Sequence, residues 1–253
     1  MKITFLGTGT SQGIPVIGCD CETCQSSDSK DKRLRVAIQI EVAGKIFVVD
    51  IGPDFRQQML RAQTNKVDAI LITHSHSDHI AGLDDIRPFN FKYERDMPVY
   101  STPNVNEVLR LRFPYIFEAT YPGVPRIELH DISKEQPFTA EGIAIVPIEI
   151  YHGQLPILGF RIGDFAYLTD FKSIETEEAK KLEGVTTLVV SALHHNEHHS
   201  HSTLQESIEF VNKMNIPSAY FTHLSHQMGT HKATEALLPA HISIAYDGLV
   251  LEI

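Results

Sequence analysis

The sequence has 253 residues, 42% of them apolar, which is enough to bury a substantial core as one large domain or a two-layered repeat. The formal net charge of −10 argues against broad binding of nucleic acid backbones, which needs clustered Lys and Arg side chains. No apolar run of about 18 residues is present, which excludes a membrane-spanning helix, and the first residues lack the features of a signal peptide. We therefore expect a cytoplasmic protein with no membrane partner.

The N-terminal part of the chain predicts strands joined by short loops. Residues 1–6 alternate in polarity like a strand and lead into a glycine-rich loop, Gly7–Gly13, that lacks the lysine or the fingerprint of a nucleotide-binding loop. Residues 36–42 and 45–50 predict a hairpin around an Ala-Gly turn. Residues 53–63 begin with proline and carry apolar side chains at helical spacing, so they predict a helix.

All three cysteines lie in one loop between the first two predicted strands, as Cys19, Cys21 and Cys24. An odd number of thiols at this spacing in a cytosolic chain is a poor disulfide framework and a good partial zinc site. A tetrahedral zinc site would need a fourth ligand from another part of the chain.

A cluster of metal-binding side chains follows the apolar, strand-like residues 67–72. Three imidazoles and a carboxylate fall within six residues, as His74, His76, Asp78 and His79. Imidazole nitrogen and carboxylate oxygen suit Zn²⁺ and other divalent first-row ions, and the ligand types do not distinguish among these ions. The pattern therefore predicts a metal site at the end of a strand.

The middle and C-terminal parts of the chain predict meandering strands with helices between them. Residues 80–87 predict the start of a helix packed beneath the motif, and residues 88–126 suit a substrate-facing segment with one short helix near 104–112. Further elements are predicted as helices near 175–183, 203–214 and 231–237, and as strands at 127–132, 143–150, 157–162, 165–169, 185–190 and 218–222, with a closing strand pair at 242–246 and 249–252. No low-complexity linker interrupts them, so we expect a single domain over residues 1–253.

Three strands of the second half end directly before a further candidate ligand, namely His152, Asp170 and His223. Each of these residues alone is more typical of a polar loop, a turn or a buried core histidine. Ligands at the same end of several strands can converge on one point. Their order, His, Asp and His after the first motif, therefore favours one shared metal site.

The motif H-x-H-x-D-H at residues 74–79 resembles the signature of the metallo-β-lactamase fold hydrolases. The resemblance implies an α+β fold, a four-layer αββα sandwich with a dinuclear metal site between its two sheets. Two ions about 4 Å apart can share and deprotonate one water. The family pattern assigns one ion to His74, His76 and His152, the other to Asp78, His79 and His223, and the bridge to Asp170.

Two further residues are predicted to act beside these ligands. Asp50 matches the family aspartate that accepts the second N–H of a ligand imidazole, although an acid at a helix N-terminus is an equal alternative. His201, at the mouth of a predicted helix, is similar to an extra histidine of phosphodiesterase branches, which donates to a phosphoryl oxygen or acts as general acid. His201 and the ligand Asp78 are thus the candidate catalytic residues. Simple exposure is the expectation for the other histidines of this loop, His194, His195, His198 and His199.

The segment T-H-x-S-H at residues 222–226 supplies the missing zinc ligand, because His226 would complete a Cys₃His site with the three cysteines. Together with C-x-C-x₂-C, it resembles the phosphoribosyl 1,2-cyclic phosphate phosphodiesterases of the carbon–phosphorus lyase pathway. The cofactor-biosynthesis branch of the fold also carries a cysteine-rich loop, so the zinc site alone does not separate the two. Residues 84–89 also look like the phosphodiesterase subgroup, and Arg87 is its candidate contact to a substrate phosphate, with an exposed helix arginine as the equal alternative.

The resemblance implies a phosphodiesterase that hydrolyses a small cyclic or nucleotide-like phosphodiester through a metal-bridged hydroxide. It would hold two divalent ions, Zn or Mn, in the active site and one structural Zn, and a homodimer is compatible with it. An RNA 3′-processing nuclease of the same fold would need a basic tether, which the sequence lacks. A cofactor-biosynthesis metallohydrolase is a further alternative. A binding module without chemistry is disfavoured by the complete set of seven ligands.

Overall fold

The computed structural model describes residues 1–118 and 121–253. Strands that follow one another along the chain build the first sheet: β1 (Lys2–Gly7), β2 (Ala37–Val42), β3 (Lys45–Val49), β4 (Ala69–Leu71), β5 (Met97–Ser101) and β6 (Ile127–Asp131). The next strands build the second sheet: β7 (Phe138–Ala140), β8 (Ile143–His152), β9 (Leu155–Ile162), β10 (Phe165–Leu168), β11 (Thr187–Ser191), β12 (Ser218–Thr222) and β13 (Ile242–Ile244). The final strand, β14 (Val250–Glu252), returns to the first sheet and pairs with β1.

Both sheets begin with antiparallel pairs and continue with parallel ones. In the first sheet β1, β2 and β3 are antiparallel, and β3 to β6 are parallel. In the second sheet β7 to β10 are antiparallel, and β10 to β13 are parallel. Consequently β8, β10 and β12 run in the same direction, and their carboxyl ends lie at one edge of the second sheet.

The described helices are short and lie between the strands in sequence. They are α1 (Glu22–Gln25), α2 (Phe55–Ala62), α3 (Ser77–Ile80), α4 (Arg87–Tyr93), α5 (Pro103–Arg112), α6 (Pro114–Glu118), α7 (Thr176–Ala179), α8 (Leu204–Lys213) and α9 (His231–Glu235). Within residues 1–118 and 121–253, none of the helices has the length and apolar character needed to cross a bilayer.

Three clusters of buried apolar side chains define the layers of the fold. One cluster lies between the sheets and joins Phe5 of β1 to Phe160 of β9. A second cluster packs α8 through Val211 against the outer face of the second sheet, and a third packs α2 through Phe55 against the outer face of the first. Helix, sheet, sheet and helix therefore stack in order, which confirms the predicted α+β, αββα sandwich.

A capping box sets the start of α8 and the loop in front of it. The Thr203 side chain accepts from the Glu206 amide at 3.1 Å, and the Glu206 carboxylate accepts from the Thr203 amide at 2.7 Å. These reciprocal bonds satisfy two donors that a helix N-terminus leaves free. They also anchor the histidine-rich residues 194–201 that precede α8.

The helix predicted to start within residues 80–87 begins at the end of that range. Helix α3 ends at Ile80, a separate 3₁₀ turn covers Leu83–Ile86, and α4 starts at Arg87 with Pro88 in its first turn. Proline lacks an amide hydrogen and fits the first turn of a helix but not its interior. The proline therefore lies in the first turn of a helix that continues beyond residue 87.

The segment 88–126 contains a buried strand, β5, that the sequence did not predict. Strand β5 includes Pro98, a residue that normally argues against a central strand, yet it pairs in parallel with both β4 and β6. Burial of Met97 and Val99 in the apolar cluster on the outer face of the first sheet outweighs the local signal. The predicted helix near 104–112 is confirmed as α5, and residues 119–120 of this segment lie outside the described residues.

The closing strands do not form the predicted pair, because β13 belongs to the second sheet and β14 to the first. Asp247-Gly248 between them is a typical hairpin turn. Here the turn instead bonds to β1, with the Gly248 amide donating to the Phe5 carbonyl at 2.8 Å. The Asp247 carboxylate also accepts from the Leu34 amide and the Thr8 hydroxyl, at 2.8 and 2.7 Å. These hydrogen bonds fix the connection between β13 in the second sheet and β14 in the first.

Candidate metal centres

The histidine motif forms the connection from β4 to α3. His74 and His76 precede the helix, and Asp78 and His79 lie in its first turn. The loop after β3 packs directly beneath: a side chain at Gly52 would place its Cβ 2.0 Å from the Asp78 carbonyl, so only glycine fits there. This close approach sets the motif against the end of the first sheet.

The side chains predicted to bind the first ion come from both sheets and lie close together. His74 Nε2 lies 3.0 Å from His76 Nδ1. Both rings face His152 at the end of β8, with ring centroids 5.7 and 5.2 Å away. One ligand atom from each of the three lies within 4.8 Å of the other two, a spacing that one divalent ion can span.

The ligand atoms of the predicted second ion form a separate group. Asp78, His79 and His223 each bring one ligand atom within 4.8 Å of the others. Asp170 lies between the two groups, since its carboxylate clusters with His74 and His152 of the first group and with His79 of the second. The structure thus brings all seven predicted ligands together.

Unpaired buried nitrogens support a fit to cations. Among the described residues, His79 Nε2 and both ring nitrogens of His223 are buried without a hydrogen-bond partner. Such atoms are costly to bury unless something binds them. His79 Nε2 and His223 Nε2 each lie 3.2 Å from an oxygen of Asp170. Nitrogens and carboxylate oxygens at these separations match the donor set of zinc or manganese.

Hydrogen bonds behind the ligands set their orientation. His79 Nδ1–H donates to Asp50 at 2.7 Å, the contact that the family resemblance implies for Asp50. Thr73 donates its hydroxyl to the same carboxylate at 2.9 Å and is 2.9 Å from His74 Nδ1, so its oxygen accepts from that ring. His152 Nδ1–H donates to the Ser200 carbonyl at 2.9 Å. In His74, His79 and His152 the Nε2 atom is thereby left to bind a metal.

Three residues of the site adopt the left-handed backbone conformation: Asp50, Asp170 and His223, with φ of 66°, 54° and 57°. This region is uncommon for residues other than glycine, although Asp and His enter it more readily than most. Each residue stands just after a strand, where the turn directs its side chain toward the cluster. Sequence reasoning located the strand ends, but it carried no signal of this conformation.

The buried charges of the cluster balance one another. Burial raises the pKa of Asp170, but the facing His223 and His79 rings outweigh burial and hold this pKa well below its usual range. Burial lowers the pKa of His79, but Asp50 and Asp170 outweigh it and raise this pKa. Burial and the neighbouring His79 lower the pKa of His74. The Asp170 carboxylate is therefore ionised at neutral pH and available to cations.

His201 lies at the edge of the cluster. Its Nδ1 is 3.8 Å from Asp170 Oδ1, and its ring is 4.4 Å from His152 and 4.9 Å from His223 between centroids. Burial and the nearby His223 lower the pKa of His201 to about 2. A neutral ring beside the cluster favours hydrogen-bond donation over the general-acid alternative that the sequence left open.

The three cysteines surround the ring of His226. Sγ of Cys19, Cys21 and Cys24 lies 3.3, 3.4 and 3.6 Å from His226 Nδ1. Zinc–sulfur and zinc–nitrogen bond lengths place sulfur and nitrogen about 3.6 Å apart around a tetrahedral ion. No disulfide joins the described cysteines, and all four ligand atoms lie within 4.8 Å of one another. These residues fit the predicted structural zinc.

The thiols of this group differ in acidity. The Cys24 amide and the His226 ring lower the pKa of Cys21 to about 6. Burial raises the pKa of Cys24 to about 11. Cys21 is therefore a thiolate at neutral pH, the form that binds metal, and Cys24 needs a metal to lose its proton.

Arg87 has its hydrogen bonds elsewhere. Its guanidinium binds the Asp84 carboxylate and lies 3.4 Å from the Gly123 carbonyl. Among the described residues, no hydrogen bond or ion pair connects Arg87 to the metal ligands. Sequence reasoning missed Arg112 at the end of α5, which donates to the Ser77 hydroxyl at 2.8 Å, between two ligands of the motif. The sequence gave no signal of this contact, because the two residues are far apart along the chain.

The other histidines of the 194–201 loop divide into two kinds. His195 and His199 are exposed, as the sequence predicts. His194 is buried, which contradicts the expected exposure, because the loop folds back beneath α8 and the Leu204 amide donates to the His194 carbonyl at 2.9 Å. His198 is partly buried, with its ring centroid 5.8 Å from that of His194.

Comparison with known proteins identifies relatives that cover most or all of the chain. A crystal structure of a diphosphatase from the PhnP family superposes with a TM-score of 0.93 at 41% identity, covering 100% of this chain and 97% of that chain. The octanoyltransferase of Porphyromonas gingivalis is 40% identical over 252 residues, covering 98% of this chain and 51% of that protein. Ribonuclease Z of Methanocaldococcus jannaschii is 28% identical over 198 residues, covering 72% of this chain and 52% of that protein.

This chain therefore spans about half the length of these curated relatives. The family model described as a Beta-lactamase superfamily domain matches residues 45–224. The match includes Asp50 and all seven predicted ligands of the cluster, and it covers well over half of the chain. Together with the sandwich fold, it shows that the chain belongs to the metallo-β-lactamase superfamily of hydrolases.

Proposed function

We propose that the protein is a dinuclear, metal-dependent phosphodiesterase that hydrolyses a small cyclic or nucleotide-like phosphodiester. The position of Asp170 is the observation that carries this proposal. Its carboxylate lies 3.2 Å from His79 and from His223, and it also clusters with His74 and His152. A carboxylate between two ligand groups can serve two cations at once and reduce the repulsion between them.

Two divalent cations held there would neutralise phosphoryl oxygens and acidify a water molecule. The side chains of the protein would orient the metal ligands and stabilise the leaving oxygen. Asp50 and the Ser200 carbonyl keep the ligand imidazoles in one tautomer, so the ligand nitrogens are aimed before substrate arrives. His201, beside Asp170, would donate to the oxygen on which negative charge develops as the phosphorus–oxygen bond breaks.

A diphosphate ester is the second candidate substrate, because the PhnP-family structure is named a diphosphatase. Both reactions transfer a phosphoryl group to water, and they differ in the leaving group. An alkoxide needs a hydrogen-bond donor or a proton, whereas a phosphate leaves readily as an anion. Dependence on His201 should therefore be strong for a phosphodiester with an alkoxide leaving group and weak for a diphosphate.

Ribonuclease activity fits the chain less well, although one relative is a ribonuclease Z. RNA backbones bind proteins mainly through clustered basic side chains, and this chain has 22 Lys and Arg against 32 Asp and Glu. A small substrate is favoured because the cations themselves would supply the local positive charge.

Metal analysis combined with turnover tests the proposal. Protein reconstituted with Mn²⁺ or Zn²⁺ should bind about three metals per chain, two exchangeable and one resistant to mild chelation. It should hydrolyse bis(p-nitrophenyl) phosphate and ribose cyclic phosphates faster than a diphosphate ester. Asp170→Asn, which keeps the side-chain shape, is the matched control and should hold fewer metals. No more than one metal after reconstitution, or no turnover of these diesters, would overturn the proposal.

A further inference from the structure

The three cysteines lie on a segment, residues 14–25, that contributes little to the apolar core. Among the described residues of this segment only three are buried: Ile14, Thr23 and Cys24. Ile17 at its centre is 98% exposed. The contacts of the cysteine side chains therefore carry much of the attachment of this segment to the rest of the fold, and a chemical change at sulfur should be felt along it.

Two of the three cysteines are separated by one turn of helix. Cys21 directly precedes α1 and Cys24 lies within it, and the Gln25 amide donates to the Cys21 carbonyl at 2.9 Å, which closes the turn. Residues three apart in such a turn have Cα atoms about 5 Å apart. A disulfide needs a Cα separation of roughly 4.4–6.8 Å. Cys21 and Cys24 are therefore spaced for a disulfide, whereas Cys19, before the helix, is not held in such a turn.

The thiols differ in their access to solvent. Cys19 and Cys21 are partly exposed, and Cys24 is only 4% exposed. A small oxidant from solvent therefore reaches Cys19 or Cys21 first, and of these two only Cys21 has another thiol one helical turn away. Asp20 and Glu22 on either side of Cys21 are exposed acids, which disfavour an anionic oxidant. A small, neutral peroxide is the class of reagent that fits this access.

A disulfide between Cys21 and Cys24 would leave zinc with too few ligands. A structural zinc is held by four ligands, and the disulfide would remove two of them and leave Cys19 and His226. Because the binding energy of such a site is largely folding energy, loss of zinc should also loosen the segment. The dinuclear cluster shares no ligand with this group, so its cations should stay in place.

We propose that Cys21 and Cys24 form an oxidation site for hydrogen peroxide, at which a reversible disulfide replaces their bonds to zinc. The Cys21 thiolate attacks one peroxide oxygen, the O–O bond breaks, and a sulfenic acid and a hydroxide form. The Cys24 thiolate then attacks the Cys21 sulfur, so the S–S bond forms and a second hydroxide leaves. The two thiolates lose two electrons, the peroxide gains them, and two protons from solvent convert both hydroxides to water. Zinc leaves as the divalent cation.

Protein with Mn²⁺ in its exchangeable sites and zinc in the Cys₃His group distinguishes the two centres. After treatment with hydrogen peroxide and desalting, elemental analysis should show the loss of about one zinc per chain and retention of manganese. The melting temperature should fall by on the order of 5 °C, and a thiol reductant with added zinc should restore it. Retention of zinc, equal loss of both metals, or absence of a chelation-resistant zinc before oxidation would overturn the proposal.

Proteolysis locates the disulfide. Cleavage after Glu22 separates Cys21 from Cys24, and cleavage before Asp20 separates Cys19 from both. When oxidised protein is alkylated in denaturant and digested, the fragments that carry Cys21 and Cys24 should stay linked until reductant is added. A link through Cys19, or thiols oxidised singly without a link, would refute the assignment.

Two matched variants separate formation of the disulfide from loss of zinc. Cys19→Ser and Cys24→Ser each remove one predicted zinc ligand, but only Cys19→Ser keeps the C-x-x-C pair. Peroxide should therefore link Cys21 to Cys24 in Cys19→Ser and should form no internal link in Cys24→Ser. Links in both variants or in neither would contradict the site. Absence of diester turnover would overturn the proposed function alone, because the oxidation site is measured by zinc content and linkage.

Discussion

The two candidate metal centres are built in different ways. The proposed dinuclear cluster takes ligands from the ends of strands in both sheets, and five of its seven residues are less than 10% exposed: His74, Asp78, His79, Asp170 and His223. The Cys₃His group takes three ligands from one loop of six residues, and only Cys24 among its four is buried. One centre is held by the core of the fold, and the other lies outside it.

This difference predicts opposite consequences of metal loss. The proposed ligands of the dinuclear centre follow strands that the apolar clusters hold, so the fold should persist without active-site metals. The cysteine loop has few buried apolar side chains, so zinc binding there is largely folding energy. The chain between the centres is also anchored, because Leu224 exchanges backbone bonds with Thr8 and Thr10, and Ser225 donates to Leu193. Damage at one centre should therefore spread little to the other.

The largest expected effect comes from Asp170→Asn. The substitution removes the charge that faces both ligand groups but keeps a side chain that tolerates the left-handed backbone. Activity should fall at least about 10³-fold, more than for a residue behind a ligand, and both exchangeable metals should bind more weakly. Kinetics, elemental analysis and thermal melting are the measurements. A large drop in melting temperature would contradict the view that the core holds this centre.

His201→Ala should separate catalysis from metal binding. The ring lies beside Asp170 but is not assigned to either ligand group, so metal content should be retained. The rate on diesters with poor leaving groups should fall about 10²–10³-fold, the usual cost of removing one positioned hydrogen-bond donor. Diesters with nitrophenyl leaving groups should be affected much less. Full turnover of poor-leaving-group diesters by the variant would refute the assigned role.

Asp50→Asn should lower the metal affinity of the proposed dinuclear centre, although Asp50 is not itself a predicted ligand. The carboxylate accepts from His79 and from Thr73, and through Thr73 it orients His74. An amide cannot accept all of these bonds, so the imidazoles should lose their fixed tautomer. Loss of such a partner typically costs about 10–100-fold in metal affinity or activity. Competitive chelation should register this shift, and an unchanged affinity would leave Asp50 with a purely structural role.

Cys21→Ser and His226→Ala should break the other centre alone. Each should release one chelation-resistant zinc and lower the melting temperature by on the order of 5 °C, because the loop loses its main support. The two exchangeable metals and turnover of bis(p-nitrophenyl) phosphate should change little. Loss of all metals in either variant would show that the centres depend on each other, contrary to the anchoring of residues 224 and 225.

Thiol titration sharpens the comparison within the zinc loop. In metal-stripped protein, alkylation of Cys21 should rise with pH around a midpoint near 6, where its lowered pKa places the thiolate transition. Cys24, whose pKa is about 11, should stay unreactive up to high pH. With zinc bound, all three thiols should react slowly with DTNB. Three fast thiols in native protein would argue against a zinc site.

Much of this site could be predicted from the sequence because its signals are local. The motif at residues 74–79 is contiguous, and His152, Asp170 and His223 each follow a β-prone run. Side chains at strand ends reach one edge of a sheet. The type of each residue and its place after a strand were therefore sufficient to predict the ligands. The Cys₃His group could be predicted for the same reason, since three of its ligands share one loop.

Other features depend on contacts between distant residues, and the sequence carried no sign of them. The pairing of β5 with β4 and β6 overrides Pro98, and the separation of β13 from β14 follows from bonds to β1 and Leu34. Arg112 reaches Ser77 only because α5 ends near the motif, whereas Arg87 is engaged by Asp84.

By itself, the sequence determined the fold family and which residues are candidate metal ligands, because these follow from residue chemistry and short-range order. Only the tertiary structure decided which of 14 histidines converge, which are oriented by Asp50, and which, like His194, are buried. Convergence requires strands from both halves of the chain to pack, and that packing is driven by burial of apolar surface between residues far apart in sequence.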